Sequence, residues 1–181
     1  MSQHDWYEVV AQDTSFEQGD FFNRVPIPIF TITRIEDDRP SYKQEVEYQN
    51  VVLMTQSCDL QDLADEDHVL LCPRLDYSVA ATERPKTYGG KGAWKEMVAG
   101  RKLGSHLLNR CEIEEHRCDY QVVDLRRVYS VPFKLLKYFA TIQGSNRLRL
   151  LPPYREHLAQ AFARQFMRVG LPIDLPRDPP I

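Results

Sequence analysis

The sequence lacks any long hydrophobic run, and no apolar stretch approaches the roughly 18–20 residues that a membrane span requires. Its N-terminus is polar around His4 and Asp5 and lacks the basic and apolar regions of a secretory signal. We therefore expect a cytoplasmic protein that makes no membrane contact.

Cysteine is scarce too, since Cys58, Cys72, Cys111 and Cys118 are the only four in 181 residues. In a chain without an export signal such cysteines stay reduced, and in apolar strands they behave as small hydrophobic residues. The segment between Cys111 and Cys118 contains His116 but matches none of the usual zinc-knuckle spacings. The sequence therefore predicts no disulfide, no metal site and no cofactor.

The chain also lacks any run of three or more basic residues, although its charge is unevenly distributed. Residues 1–120 hold 13 basic and 22 acidic side chains, whereas residues 121–181 hold 10 basic and 4 acidic ones. The basic C-terminal third fits contact with nucleic acid or an acidic partner. It equally fits neutralisation of the acidic part of the same fold.

What is present is an ordinary globular composition, 43% hydrophobic and 27% charged, which indicates one domain over residues 1–181. Two Val- and Leu-rich runs, 51–60 and 68–73, are short and bounded by polar residues, and they predict the buried strands of a central hairpin. Pro26 and Pro28 place the preceding strand at an edge or a barrel corner. Further strands are predicted at 29–33, 45–48, 106–109 and 121–125, with an exposed one at 147–151.

Two helices are predicted near the C-terminus. The first, at 132–141, has proline in its first turn and Gly144 beyond its end. The second, at 153–169, is amphipathic because its apolar residues recur at three- and four-residue steps. Residues 175–181 are rich in proline and are expected to fray.

The stretch 80–105 is rich in glycine and basic residues, and it predicts a mobile surface loop with a short helix at 93–99. Aromatic residues and arginine are enriched at interaction hot spots. Tyr88, Trp94 and Arg101 are therefore the first candidates for a contact surface in this loop.

A polar stripe is predicted on the second helix, opposite its apolar face. It consists of His157, Gln160, Arg164 and Arg168. These residues have the chemistry to contact a phosphate backbone or an acidic protein. They also fit the solvated side of a helix, where the two arginines are favoured by the C-terminal dipole.

A cluster of five polar residues follows the first strand of the central hairpin. The cluster is Thr55, Gln56, Ser57, Cys58 and Asp59. A nucleophile at Cys58 or Ser57 would need a general base, for which His68 and His106 are the candidates. The cluster could instead line a binding pocket, or its side chains could bond backbone amides at the strand end.

The order of the elements over residues 15–140 resembles the MazF/PemK toxins. The matching segments are Gln18-Gly19-Asp20, the strand from Gln49 to Thr55, Cys72-Pro73 and the segment from Val123 to Val128. This resemblance implies an α+β fold in which a small SH3-like β-barrel, about residues 15–130, carries short helices and a C-terminal amphipathic helix. It also implies an RNA-binding protein or an endoribonuclease toxin.

Two residues depart from the chemistry of that family. MazF-type ribonucleases use an arginine and a threonine around the scissile phosphate, and Gln49 and Leu75 stand at the corresponding positions. Leucine cannot transfer a proton, and neutral glutamine cannot offset phosphoryl charge as arginine does. The ribonuclease chemistry is then absent, or it is relocated to Arg74 and Thr55.

The whole chain also resembles a broadly distributed bacterial family of uncharacterised proteins. The hallmarks are Gln18-Gly19-Asp20, the segment from Met54 to Leu60, His106 to Asn109, Val131 to Phe133, and the block from Arg147 to Pro172. Such proteins occur among antiviral and toxin-like systems. This resemblance brings no activity, and it implies an accessory role in bacterial stress or antiviral defence, including CRISPR-associated systems. The barrel pattern without the arginine and threonine of the toxins predicts a non-catalytic binding or regulatory protein that contacts a protein partner. RNA binding, a homodimer and a Cys58-dependent enzyme are the alternatives.

Overall fold

The computed structural model describes residues 5–36 and 39–167 of the chain. This part has the predicted α+β class. Its strands are β1 (Tyr7–Val10), β2 (Phe21–Glu36), β3 (Arg39–Leu53), β4 (His68–Asp76), β5 (Ser105–Leu108), β6 (Gln121–Asp124), β7 (Tyr129–Pro132) and β8 (Arg147–Leu150). Its helices are α1 (Ser57–Leu60), α2 (Tyr77–Glu83), α3 (Pro85–Tyr88), α4 (Gly90–Val98), α5 (Phe133–Gln143) and α6 (Tyr154–Phe166).

Six strands form one antiparallel sheet in the order β2-β3-β4-β6-β5, with β7 also paired to β4. The predicted central hairpin is confirmed, because β3 pairs with β4 in the register Val51↔Pro73 to Leu53↔Leu71. On its other side Leu71 pairs with Tyr129, so β6 and β7 follow one another along the same edge of β4. The end strands β2 and β5 share no pairing among the described residues, and the sheet is open. Closure into an SH3-like barrel stays a prediction.

The central hairpin is buried on both faces, which is why its strands read as continuous apolar runs rather than alternating ones. Val52 belongs to a core cluster with residues of β8 and α6, including Leu158. Its neighbours Val51 and Leu53 belong to a second cluster with Leu136 of α5. Successive side chains of a strand point to opposite faces, so β3 holds the two helices apart on either side of the sheet.

Helices α5 and α6 confirm both C-terminal helix predictions. Helix α5 ends at Gly144, whose φ of 61° is the left-handed conformation that glycine adopts at low cost. The end of the second predicted helix, including Arg168, and the predicted frayed tail at 175–181 lie outside the described residues. No helix in the described ranges is long and apolar enough to cross a membrane.

The short helix predicted at 93–99 is confirmed as part of α4, but the mobile loop predicted for the rest of 80–105 is wrong, because this stretch forms most of the helices α2, α3 and α4. Tyr88 and Met97 pack with Ala80 and Val122 in a third core cluster, and that burial stabilises helices the glycines alone would disfavour. Gly89 allows the close turn between α3 and α4, since a Cβ there would lie 2.6 Å from the carbonyl oxygen of Pro85.

The strand predicted as exposed at 147–151 is also corrected, since all four residues of β8 are buried. It pairs with β1, and its Arg147 and Arg149 both form ion pairs with the fully buried carboxylate of Asp20. An alternation of arginine and leucine normally indicates one solvated face. Here the charges are neutralised inside the protein instead.

Candidate functional site

The polar cluster at 55–59 makes mainly backbone hydrogen bonds. The Leu70 N–H donates to Thr55 Oγ1 at 2.8 Å, and the Gln18 N–H donates to Ser57 Oγ at 3.1 Å. Gln56, Cys58 and Asp59 are exposed, and the Cys58 thiol lies 3.4 Å from an Asp59 carboxylate oxygen.

Neither candidate base reaches this cluster in the described structure. The ring of His68 is hydrogen-bonded to Ser130 Oγ at 2.8 Å, and His106 lines a cleft to which no residue of 55–59 contributes. A histidine-activated nucleophile at Cys58 or Ser57 is therefore not assembled.

The four thiols should differ in reactivity, which tests the Cys58 alternative. Cys58 is exposed, whereas burial, with a smaller effect of Asp124, raises the pKa of Cys72 to about 12. Because the thiolate is the reactive species, we expect iodoacetamide at pH 8 to label Cys72 at least about a hundredfold more slowly than Cys58. Mass spectrometry before and after urea unfolding measures both rates. If Cys58 is labelled faster in the folded protein than in the unfolded chain, the result would support the Cys58-dependent enzyme.

Arg74 is buried, and the structure does not present it to a substrate. Its guanidinium donates to Gln121 Oε1 at 2.6 Å and to Asn23 Oδ1, and it lies over the ring of Phe21. Burial lowers its pKa to about 10, an effect that nearby Tyr7 and other groups partly oppose. The prediction that phosphate chemistry is relocated to Arg74 is corrected, since this side chain bonds the interior.

The three residues proposed as a contact surface do not share one. Tyr88 is 1% exposed, which corrects its assignment to a surface. Arg101 is exposed and ion-paired with Glu96 at 2.7 Å. Trp94 is half-buried, with its ring centroid 5.0 Å from that of Tyr120. Trp94 lines a cavity.

That cavity is a cleft of about 700 Å³ between the end of α4, β5, α6 and the segment before β1. Four aromatic residues line it. They are Trp6, Trp94, Tyr120 and Tyr154. Trp6 stacks on Tyr154 with ring centroids 3.6 Å apart and planes 10° from parallel. We call this cavity the aromatic cleft.

The aromatic cleft is positively charged at its rim and carries no acid in its lining. His157, Gln160 and Arg164 of the predicted stripe all line it, and all three are exposed on α6. Arg164 forms no ion pair with any residue in the described ranges, and its Nε donates to the Gln160 carbonyl at 3.4 Å. The structure thus places three residues of the stripe at one cavity.

His106 gives the aromatic cleft its polar interior. Its Nε2 is inaccessible to solvent and has no hydrogen-bond partner within the described part of the chain. Burial, followed by the nearby His157 and Arg164, lowers the pKa of His106 to about 4, so the ring is neutral at physiological pH. A buried ring nitrogen without a partner is uncommon, since it loses water without replacing it.

A second surface lies on the hairpin of β2 and β3, whose outer part extends beyond the core. Residues directly opposite in an antiparallel pair share a face. One face carries seven apolar residues and Gln44 over four cross-strand pairs, which are Pro26↔Tyr48, Pro28↔Val46, Phe30↔Gln44 and Ile32↔Tyr42. Phe30, Ile32, Tyr42, Val46 and Tyr48 are each more than half exposed. We call these four pairs the arm face.

The opposite side of the hairpin mixes apolar and charged residues. It carries the pairs Ile27↔Glu47, Ile29↔Glu45 and Thr31↔Lys43, and the Lys43 ammonium is ion-paired with Glu45 at 2.6 Å. The prediction of an edge strand at Pro26 and Pro28 is confirmed, since β2 ends the sheet. Sequence reasoning missed the arm face, although the alternating apolar residues of both strands were a signal for it.

No known protein family matches this chain, and no curated protein or solved structure is significantly similar to it. The arm face and the aromatic cleft are therefore the basis for assigning a function.

Proposed function

We propose that this chain is a non-catalytic binding protein that docks a protein partner on the arm face. The observation that carries the proposal is the exposure of five large apolar side chains on one side of a two-stranded ribbon. Monomeric proteins rarely expose contiguous apolar patches of this kind without an interaction function. The five side chains present roughly 600 Å² of surface, close to the roughly 800 Å² that each side of a standard interface buries.

The dimensions of the arm face favour a helical partner segment. Four cross-strand pairs at alternate positions span about 20 Å, which matches the apolar stripe of a helix of about 13 residues. Proline has no N–H, so Pro26 and Pro28 reduce the donors that the free edge of β2 offers to an added strand. Docking on the face is thus favoured over extension of the sheet.

The area of the arm face favours a different protein over a second copy. Two arm faces together would bury roughly 1,200 Å², whereas obligate homodimers bury roughly 2,000–5,000 Å². A regulated complex with a partner is the interface class that fits this size.

The resemblances noted for the sequence supply the context of the proposal. They favour a cytoplasmic accessory protein of bacterial stress or antiviral defence, built on a MazF/PemK-type SH3-like barrel. The order β2-β3-β4 and the pairing of β4 on both sides support such a scaffold. Gln49 and Leu75, in place of the arginine and threonine of the toxins, support a role without ribonuclease chemistry.

Substituting two exposed apolar residues of the arm face should strongly weaken partner binding. The tagged protein is purified from its native host, protein and nucleic acid in the eluate are identified, and the complex is rebuilt from purified components. With Phe30→Ser and Ile32→Ser together, we expect affinity to fall at least about 30-fold, since hot-spot side chains are each worth about 1 kcal/mol or more. Both residues are exposed, so folding should be unaffected.

The matched control is Thr31→Ala with Lys43→Ala, a cross-strand pair on the opposite side of the same ribbon. We expect this control to bind like the wild type. Unchanged affinity of the arm-face variant for the rebuilt partner would show that the arm face is not the interface. A dimer of the wild type that the same variant dissociates would assign the face to a second copy. RNA bound without a protein partner, and released by salt, would favour the MazF-like alternative.

A further inference from the structure

We infer that the aromatic cleft binds a nucleobase that carries a phosphate group. This site is separate from the arm face. The protein would then recognise a small ligand or the end of an RNA strand in addition to binding a protein partner. The residues that carry the inference are the aromatic walls, His106, and the basic side chains of His157 and Arg164 at the rim.

The walls of the cleft suit a flat aromatic ligand. A volume of about 700 Å³ lies within the usual range for ligand pockets and is ample for a mononucleotide. Trp6 and Tyr154 offer a stacked aromatic wall, and Trp94 and Tyr120 contribute further ring surface to the same cavity. Bases stack on such side chains regardless of sequence, because every base has a π-face.

The polar groups inside the cleft suit the edge of a base. The unpartnered Nε2 of His106 needs a hydrogen bond that no described residue supplies. The neutral imidazole has one donor and one acceptor nitrogen, so it can pair with a ring nitrogen or an exocyclic group of a base. The side-chain amides of Asn109 and Gln160 line the same cavity and add further donors and acceptors.

The charge of the cleft selects an anion. His157 and Arg164 lie seven residues apart, two helical turns, on one side of α6, and both are exposed at the cavity. Arg164 has no carboxylate partner among the residues described, and it is free to donate to a phosphate. Aromatic cages also bind cations such as methylated lysine. A cationic ligand is disfavoured in this cleft, because Arg164 at the rim would repel it and no acidic residue lines the cleft to neutralise it.

Two sources can supply this chemistry, a free mononucleotide or the phosphorylated end of an RNA strand. Intrinsic fluorescence reports on both, because Trp6 and Trp94 are the two tryptophans of the chain and both line the cleft. The full chain is titrated with the four ribonucleoside monophosphates, the matching nucleosides, and a five-nucleotide RNA with and without a 5′ phosphate. We expect saturable quenching by at least one nucleotide, with the nucleoside bound about tenfold or more weakly.

Arg164→Gln should reduce the affinity for the nucleotide to that for the nucleoside while leaving nucleoside binding unchanged. His106→Phe should weaken nucleoside and nucleotide alike, because it removes the hydrogen bond to the base. Arg101→Gln is the control, since Arg101 is an exposed arginine just after α4 that is not among the residues lining the cleft. Thermal melts of each variant confirm that it is folded.

Binding of the mononucleotide assigns the free nucleotide as ligand, and binding of the 5′-phosphorylated RNA alone assigns the RNA end. The inference is overturned if no nucleotide or RNA gives saturable quenching, or if Arg164→Gln leaves the preference for phosphate intact. The variant with both Phe30→Ser and Ile32→Ser should bind nucleotide like the wild type. Partner binding on the arm face and nucleotide binding in the aromatic cleft are therefore tested independently of each other.

Discussion

Replacing Asp20 with alanine should cost about 3–5 kcal/mol of folding free energy, a large share of the roughly 5–15 kcal/mol available to a domain. The Asp20 carboxylate is 0% exposed and accepts hydrogen bonds from Arg149 Nε at 2.6 Å and Nη2 at 3.0 Å. It also accepts one from Arg147 Nε at 3.3 Å. Without it, the buried guanidinium of Arg147 loses the carboxylate that pairs with it, and that of Arg149 is left with its ion pair to Glu17 at 2.7 Å.

The structural consequence should reach α6, because Asp20 attaches β8 to the main sheet. The Asp20 carbonyl accepts the Leu53 N–H at 2.9 Å, while its side chain pairs with the arginines of β8. Strand β8 in turn leads into α6, which forms one side of the aromatic cleft. The variant is therefore expected to lose nucleotide quenching together with stability.

Urea unfolding followed by circular dichroism measures the effect, with Asp20→Asn as the milder variant should Asp20→Ala fail to accumulate. Asp59→Ala is the matched control, an exposed aspartate whose side-chain contact is the Cys58 thiol. We expect the control to unfold like the wild type, since surface substitutions rarely change stability much. A loss below about 1 kcal/mol for Asp20→Ala would show that the arginines find other partners.

Local sequence signals predicted the elements whose stabilising contacts are close in the chain. The hairpin of β3 and β4 followed from two apolar runs, and α5 followed from its proline start and from Gly144. Strand β8 could not be predicted as buried, because the acid that neutralises its arginines is Asp20, 127 residues earlier than Arg147. Charge patterns predict exposure only when the partner of each charge is known.

The candidate sites also depend on contacts between residues that are far apart in the sequence. The stripe on α6 was predicted from helical spacing, and three of its residues do line the aromatic cleft. Trp6 and His106 reach that cleft through tertiary structure, since the pairing of β1 with β8 brings Trp6 to Tyr154. The alternating apolar residues of β2 and β3 indicate an apolar face on the hairpin. The face is exposed because no element among the described residues covers it, and a local sequence pattern cannot specify whether such an element is present.

Replacing Tyr88 with alanine should destabilise the protein by about 3–5 kcal/mol, the usual cost of truncating a buried aromatic residue. Its ring packs with Ala80, Met97 and Val122, its hydroxyl lies 3.2 Å from Ser105 Oγ, and the Tyr77 hydroxyl donates to its carbonyl. Tyr88→Phe keeps the ring and should cost only about 1 kcal/mol, the net value of one hydrogen bond.

A structural role and a binding role for Tyr88 predict opposite results. Its substitution therefore tests whether the region 80–105 is a packed part of the core or a contact surface. If Tyr88 holds α3 and α4 against β6, urea unfolding detects the loss in Tyr88→Ala, and Arg101→Ala, at an exposed ion pair, unfolds like the wild type. If it were a surface contact, stability would be unchanged and partner affinity would fall. Because α4 carries Trp94 into the aromatic cleft, the structural role also predicts weaker nucleotide quenching in Tyr88→Ala but not in Tyr88→Phe.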